Sequence, residues 1–590
     1  MVNNNYKKIK ERMKMRSMQL WGIENAQKVD PVVEMFLDVF SYELSKVHQE
    51  VKVSDAKLLE RISKILVNES WSLPTPAHTL LNVQPTEQVS KIEKTTQLYF
   101  QKIVKGELND VFFTPIKKQT LLRANVYCTA LDRQLIFDTN KGYKHIINSY
   151  KENKIPEYTI WVGIDIEESL LSDITKIPIS ILLKDSHLDP YLKMSKVKDS
   201  EGNELNLYQE EEDLTTNKEH YYATIQKYYQ DYLYTLDLSN SAKKRQKLTD
   251  KCKGLFNQEE IEEYDKELFW LEITFSIAFT KEELEKIAIS TNTFPIVNRK
   301  RSYKQHSLKR NGKIVSLYFN EKEYFLNAES LIDNQGRKYK NALKNDINNM
   351  EGAFSLYYGD IEQFDERNAK SILSDVIQTV REEGSSFSAV GYDLLNSYLE
   401  DLNDKLDTLE RKVNFRFKDV SNNSEKVYLQ TIPYKTSDTY ECVYWTTNAG
   451  LANDIKEGTL LTQYQTIELE SDSIRLLTDT VGGIVKKGAK EKISNFRYGL
   501  LSKDRIVSNE DIKEFIHVAI GDVLKNVSVK SGVGISVNKK QGLVRTINVE
   551  VSLNEGGNLS SENKKRLGHS LELQLESKSV HNTPYRVNII

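Results

Sequence analysis

The sequence predicts an α+β protein: an elongated, multidomain chain with N-terminal helices, a β-rich middle domain and a C-terminal α/β domain. Three observations predict it. The chain has 590 residues, far beyond the size at which one core stops growing. Apolar residues recur at helical spacing over the first seventy positions, and short alternating runs bounded by polar turns take over after them. The hydrophobic fraction of 39% and charged fraction of 28% suit a folded globular chain and argue against long disorder.

The first helix is read from Ile9, Met13 and Leu20 beneath a basic face of Lys7, Lys8, Lys10, Arg12, Lys14 and Arg16, with Gly22 ending it. Asp30 as N-cap and Pro31 at the first helical position open a second helix, whose stripe of Val32, Val33, Phe36, Val39, Phe40, Leu44 and Val47 is expected to be buried. Ser54 caps a third, and the prolines at 74 and 76 then enforce extended backbone. Strands are expected at 125–129, 159–164 and 271–278, and the crowd of Tyr221, Tyr222, Tyr228, Tyr229, Tyr232 and Tyr234 on one helix reads as packing or a protein interface. Leucines at 395, 399, 402, 406 and 409 predict a long helix over 392–412. Strands return from 429, including a weak one at 571–575, around a helix that starts after Ser508 with a variant capping box. The resulting domains are 1–72, 73–315, 316–428 and 429–590.

Charge sets further bounds. Lys plus Arg (82) nearly balance Asp plus Glu (85), so no single-sign field draws the whole molecule to nucleic acid or an anionic membrane. The three cysteines, Cys128, Cys252 and Cys442, are too far apart in sequence to suggest a disulfide framework or a metal knuckle. The opening residues lack the apolar stretch of about 7–15 residues that a secretory signal needs, and no apolar run approaches the roughly 20 needed to span a bilayer. A cytoplasmic chain is expected.

No catalytic constellation emerges. Gly483 to Lys490 departs from a phosphate loop because Ala489 occupies the lysine position and Lys490 the hydroxyl position. Gly532-Val-Gly534 lacks a third glycine and reads as a strand with a bulge. No two of the nine histidines stand at the i, i+4 spacing of a helical zinc pair. His187, between Asp185, Ser186 and Asp189, reads as a capped turn, because triad members rarely meet as sequence neighbours. Arg299-Lys-Arg301 with Lys304, His306, Lys309, Arg310 and Lys313 reads as a solvated basic loop, with an acidic protein surface or nucleic acid as the alternatives. Acidic runs at 210–213 and 259–263 read as solvated faces or, equally, partner patches. No enzyme, cofactor or metal is expected.

Several segments, in order, resemble one family. Asp30-Pro31-Val-Val-Glu34, Trp71 to His78, Val111-Phe-Phe-Thr114, Thr293-Phe-Pro295-Ile-Val-Asn298, Tyr444-Trp445-Thr-Thr-Asn448 and Leu451-Ala-Asn453 are similar to motifs of the TssF (VasA, ImpG) family. Arg497 to Ile512 resembles a pattern shared with phage baseplate J and wedge proteins, in which Ser508 caps a helix, Asp511 complements its dipole and Arg505 ties the preceding turn. The C-terminus departs from the family's glycine-rich ending, which marks a divergent branch.

The resemblance implies a structural baseplate wedge subunit of a bacterial type VI secretion system. Such a subunit pairs with a second copy of itself and TssG, and contacts TssK, TssE and spike or hub proteins to initiate contractile sheath assembly. It implies a cytoplasmic protein recruited to an inner-membrane-anchored machine, with no nucleic acid and no direct membrane insertion. Pro295, Asn298, Trp445, Asn448, Arg505, Ser508 and Asp511 are its structural motif residues. Because obligate interfaces have apolar cores, the partner-binding candidates are Ile9, Met13, Leu20, Trp21, Val32, Phe36, Phe40 and Leu44. The alternatives are a wedge protein of a phage or extracellular contractile particle and, from another class, a nucleic-acid-binding enzyme.

Overall fold

Where β-branched and aromatic residues alternate with polar ones, the chain forms strands, and the computed structural model pairs them into six sheets. The structure describes residues 11–17, positions 36, 37, 40, 41 and 44, and, with short gaps, 73–358 and 427–589. Among these, strand far outweighs helix, so the described chain is mostly β where the sequence predicted an α+β balance. One reason is local: the stretch read as a basic loop is the strand Lys300–Ser307. The helix expected over 392–412 lies outside the described residues.

The chain divides into two compact units, one of residues 1–72 with 487–504 and one of residues 73–486 with 505–590. In the first, residues 11–17 are helical, as are positions 36, 37, 40, 41 and 44. Ser41 Oγ donates to Leu37 O at 2.5 Å and lies 3.5 Å from Met13 Sδ, which brings these two helical segments together.

In the second unit, an eleven-stranded sheet contains the expected strands as Ala124–Leu131, Thr159–Ile166 and Glu267–Thr274. The last ends at Thr274 rather than at 278. Its core is aliphatic, built on Ile160, Val162, Ile164, Ile181, Leu236 and Ile273. A six-stranded sheet runs in the order Thr462–Tyr464, Gln97–Val104, Glu107–Pro115, Thr293–Asn298, His78–Asn82, Arg475–Leu476. A three-stranded sheet places Thr439–Thr447 between Lys300–Ser307 and Tyr324–Asp333.

The described residues between 505 and 589 form a smaller α+β module. A capped helix, Asn509–Ile520, precedes the antiparallel pair Leu524–Ile535 and Leu543–Leu553. The helix Ser561–Lys578 then crosses to Tyr585–Ile589, which pairs parallel to Leu543–Leu553. The weak strand expected at 571–575 is therefore helix. Leu571 and Leu575, four apart, are its buried face. Gly532 and Gly534 sit in continuous register, and the irregularity of that ladder falls at Leu524/Asn526 instead. No described helix is long and apolar enough to cross a membrane.

Candidate functional site

Every residue of Thr293–Asn298 is buried, as expected of a strand held between Glu107–Pro115 and His78–Asn82. Pro295 pairs opposite Leu80, one residue before the ladder to Glu107–Pro115 begins at Ile296. After Asn298 the chain leaves this sheet, and at Lys300 it enters the three-stranded one. Asn298 and Arg299 therefore form a corner between two sheets, where backbone groups lose their ladder partners and side chains must replace them.

Asn298 does so with all its polar atoms. Its Nδ2 donates to Phe112 O at 2.8 Å and to Asn448 Oδ1 at 3.3 Å, while its Oδ1 accepts from Thr447 Oγ1 at 2.8 Å and Asn448 N at 2.9 Å. Arg299, whose side chain is 0% exposed, uses all three guanidinium nitrogens. Nε donates to Thr114 Oγ1 at 2.5 Å, Nη1 to both carboxylate oxygens of Glu219 and to Tyr221 OH, and Nη2 to Lys94 O and Pro115 O. The guanidinium carbon lies 4.4 Å from the centre of the Trp445 ring. Burial works against this charge, but Tyr221 and Glu219 outweigh it and hold the Arg299 pKa above its ordinary value. Burial likewise pushes the Tyr221 phenol up.

A second ring surrounds the corner. Asn453 clamps Gly483 by accepting from its N–H at 2.8 Å and donating to its carbonyl at 2.7 Å. A Cβ at Gly483 would collide with the Ala449 carbonyl, so this glycine serves close approach rather than phosphate binding. His78 Nδ1 meets Tyr229 OH at 2.9 Å, and burial lowers its pKa to about 3, which keeps the imidazole neutral. Lys102 donates to Leu451 O at 3.0 Å and Asn453 O at 2.5 Å. Lys322 binds Glu107 and Asn109. The sequence motifs around Pro295, Asn298, Trp445 and Asn448 thus converge into one closed, internally satisfied hub.

The remaining candidates separate by location. Ser508 and Asp511 form a reciprocal capping box, with Asp511 Oδ2 also accepting from the Val507 N–H at 3.1 Å. Arg505 is exposed and, among the described residues, shows no hydrogen bond to the turn it was expected to tie. Met13 is half-buried, whereas Phe36, Phe40 and Leu44 are 53%, 58% and 48% exposed at successive i, i+4 positions. Ile9, Leu20, Trp21 and Val32 lie outside the described residues, as do 184–190 around His187.

The basic run is not a solvated loop. Beyond Arg299, Lys300 pairs with Glu323, Arg301 with Glu329 and Lys309 with Asp438, while Lys304 donates to Ser316 O. Arg299 is spent inside the protein and Lys300 and Arg301 are partly so, while Lys309 stays 78% exposed in a surface pair. Tyr221, Tyr222, Tyr229, Tyr232 and Tyr234 are buried, which leaves packing as their role. Sequence reasoning missed Glu219, Lys102 and Lys322, each a charged residue whose only signal would have been proximity to a motif distant in sequence. No group of His, Cys, Asp and Glu among the described residues is arranged to hold a metal.

No family model matches the chain, and no curated protein matches it. Three solved structures are similar over nearly its whole length. A chain of the type VI secretion system TssK-TssF-TssG baseplate subcomplex aligns at TM-score 0.47 and 12% identity, covering 95% of this chain and 96% of that one. A chain of the baseplate complex from the type VI secretion system aligns at 0.36 and 10%, covering 98% and 96%. A chain of the anti-feeding prophage baseplate aligns at 0.25 and 7%, covering 98% and 70%. Scores this low carry no functional conclusion.

Proposed function

We propose that this chain is a structural baseplate wedge subunit, TssF-like, of a bacterial type VI secretion system. In this reading it is a scaffold that performs no turnover. It assembles with a second copy of itself and TssG in a wedge, and with TssK, TssE and spike or hub proteins, in the cytoplasm at an inner-membrane-anchored machine.

The observation that carries the reading is the fate of the ordered motifs. Segments 150 residues apart, such as Asn298 and Asn448, meet in a hub whose polar atoms bond to one another. A catalytic centre keeps polar groups aimed at the place where a substrate sits; this hub spends them on joining sheets. Phe36, Phe40 and Leu44 supply the complementary feature, an apolar helical stripe turned outward of the kind that obligate interfaces bury.

Co-expression of the full chain with a TssG-like protein tests this. The two co-purify in the proposal, and Phe36→Asp with Phe40→Asp lowers recovery of the partner at least tenfold without changing the melting temperature. Failure of the wild-type chain to retain any TssG-like protein ends the reading. The alternative, a wedge protein of a phage or extracellular particle, is separated by its gene neighbours, which lack membrane-complex and ATPase components. The nucleic-acid-binding enzyme loses part of its motivating feature with the pairing of Arg299, Lys300 and Arg301 to Glu219, Glu323 and Glu329. A flat low-salt titration with a fluorescent oligonucleotide discards it.

A further inference from the structure

The α+β module at the C-terminal end meets the body of its unit, residues 73–486, through one close contact. The chain does not pass directly from body to module, since 487–504 group with the other compact unit. Among the described residues no strand ladder crosses between them either: Leu524–Ile535, Leu543–Leu553 and Tyr585–Ile589 pair only with one another. Of the module's described elements, Ser561–Lys578 is the one that packs closely on an element of the body, and it does so on the helix Tyr222–Tyr229.

The apolar side chains on both sides turn away from this contact. Tyr222, Ile225 and Tyr229 join Leu80, Val297 and Trp445 in a cluster of the body to which no described residue of the module belongs. That helix is also bonded to the body at both ends, where Arg299 Nη1 donates to Tyr221 OH and His78 Nδ1 lies 2.9 Å from Tyr229 OH. On the module's side, Gly568, Leu571 and Leu575 are buried and recur at helical spacing. A Cβ at Gly568 would lie 2.8 Å from the Val587 carbonyl oxygen, so this face lies against Tyr585–Ile589. Charged groups are what meet across the contact. His569 Nε2 lies 2.9 Å from Asp231 Oδ2, with side chains only 26% and 13% exposed, and Lys227 stands near Glu576 and Lys578. Glu572 accepts from the Val587 N–H at 2.7 Å with one oxygen, and its other lies 3.3 Å from His569 Nδ1. The imidazole is thus anchored to the module on one nitrogen and reaches the body with the other.

We propose that the module is a releasable arm: the His569–Asp231 ion pair latches it to the body, and breaking that pair frees it still folded. The split falls between Ser561–Lys578 and Tyr222–Tyr229, because the second helix is held by the body. Each piece keeps buried apolar side chains of its own, among them Phe515, Val549 and Leu571 in the module. A polar contact between two such pieces permits relative motion by default, and sub-global opening separates them without unfolding either. The pair decides the closed state. Removing one partner of a largely buried ion pair leaves the other without its compensation, so closure persists only while both His569 and Asp231 are in place. The inference needs no partner protein and does not depend on the reading of the chain as a baseplate subunit.

The test uses the full chain carrying Lys227→Cys as a thiol probe in the contact, the three native cysteines being buried. Asp231→Ala, His569→Gln and both together are added to that background. The expected result is labelling at position 227 about tenfold faster or more in each single variant, with no further gain in the combination. Hydrogen-exchange protection stays unchanged in the ladder between Leu543–Leu553 and Tyr585–Ile589 and in the body strand Glu267–Thr274. A labelling rate within about twofold of Lys227→Cys alone, in either single variant, overturns the latch. Effects that multiply in the combination overturn the pairing of the two residues. Protection lost from the module's ladder as labelling rises overturns its release as a folded piece.

Discussion

Arg299→Met tests whether the buried corner holds the two sheets together. The substitution keeps much of the apolar stem and removes a guanidinium that donates to Thr114, Glu219, Tyr221, Lys94 and Pro115. The Arg299 side chain is fully buried and Glu219 nearly so, so the loss takes the compensating cation from that carboxylate and leaves two carbonyls short of a donor. Breaking a buried pair from one side costs about 3–5 kcal/mol, and the unmet carbonyls push the effect to the upper end of that range. Glu219→Gln in the same background removes the stranded charge, so the double variant is less destabilised than the sum of the two single ones. The coupling is on the order of 1–3 kcal/mol. Hydrogen exchange followed by mass spectrometry is the assay, because a chain of this size need not unfold in one step. Protection falls in Glu107–Pro115 and Thr293–Asn298 first. Additive effects of the two substitutions, or a loss below about 1 kcal/mol for Arg299→Met, would refute the corner as a structural joint.

Other outcomes follow from the same geometry. His569 lies 2.9 Å from Asp231 and 3.3 Å from Glu572; burial opposes its charge, yet the two carboxylates raise its pKa from 6.5 to about 10. Its contribution is therefore complete below about pH 6.5 and declines as pH rises toward 10, by up to about 1.4 kcal/mol per pH unit. Exchange protection of Ser561–Lys578 shows this slope in wild type, and His569→Gln flattens it. Gly483→Ala drives a Cβ into the Ala449 carbonyl and costs about 1–3 kcal/mol, read as a lowered melting temperature. Cys128, Cys252 and Cys442 are buried, and burial pushes the latter two thiols up to about 12. All three stay unreactive to a thiol reagent at pH 8 until the protein unfolds.

What the sequence made legible is what local chemistry decides. Ile160, Val162 and Ile164 announced a strand through branched side chains, Ser508 and Asp511 announced a helix start through capping, and the tyrosines of 221–234 announced burial. Short windows misled where two periods fit equally well. Leu571, Leu573 and Leu575 alternate like a strand, yet Leu571 and Leu575 are also four apart, and the helix buries that pair. The basic run misled for another reason. Charge density reads as solvent exposure, but Lys300 and Arg301 each found an acid more than twenty residues away.

The hub lay beyond local reading for the same cause. Motif order flagged Asn298, Trp445 and Asn448, but nothing near them reveals that Arg299 meets Glu219 eighty positions upstream or that Lys102 is held by Leu451 and Asn453. Pairing over such distances depends on sheet topology, which short-range patterns leave open. The outward apolar stripe of Phe36, Phe40 and Leu44 was half legible. Spacing showed that the three share a face, but the burial expected of that face is corrected by the structure, which leaves all three exposed.

The role proposed for this chain is that of an assembly part whose exposed apolar features are filled by other subunits. Light scattering coupled to size exclusion, applied to the 68.2 kDa chain co-expressed with a TssG-like protein, measures that most directly. The account predicts one stable species heavier than the two chains' separate masses, containing both proteins in fixed ratio. Separate elution of the two proteins, with this chain at its monomer mass, contradicts it.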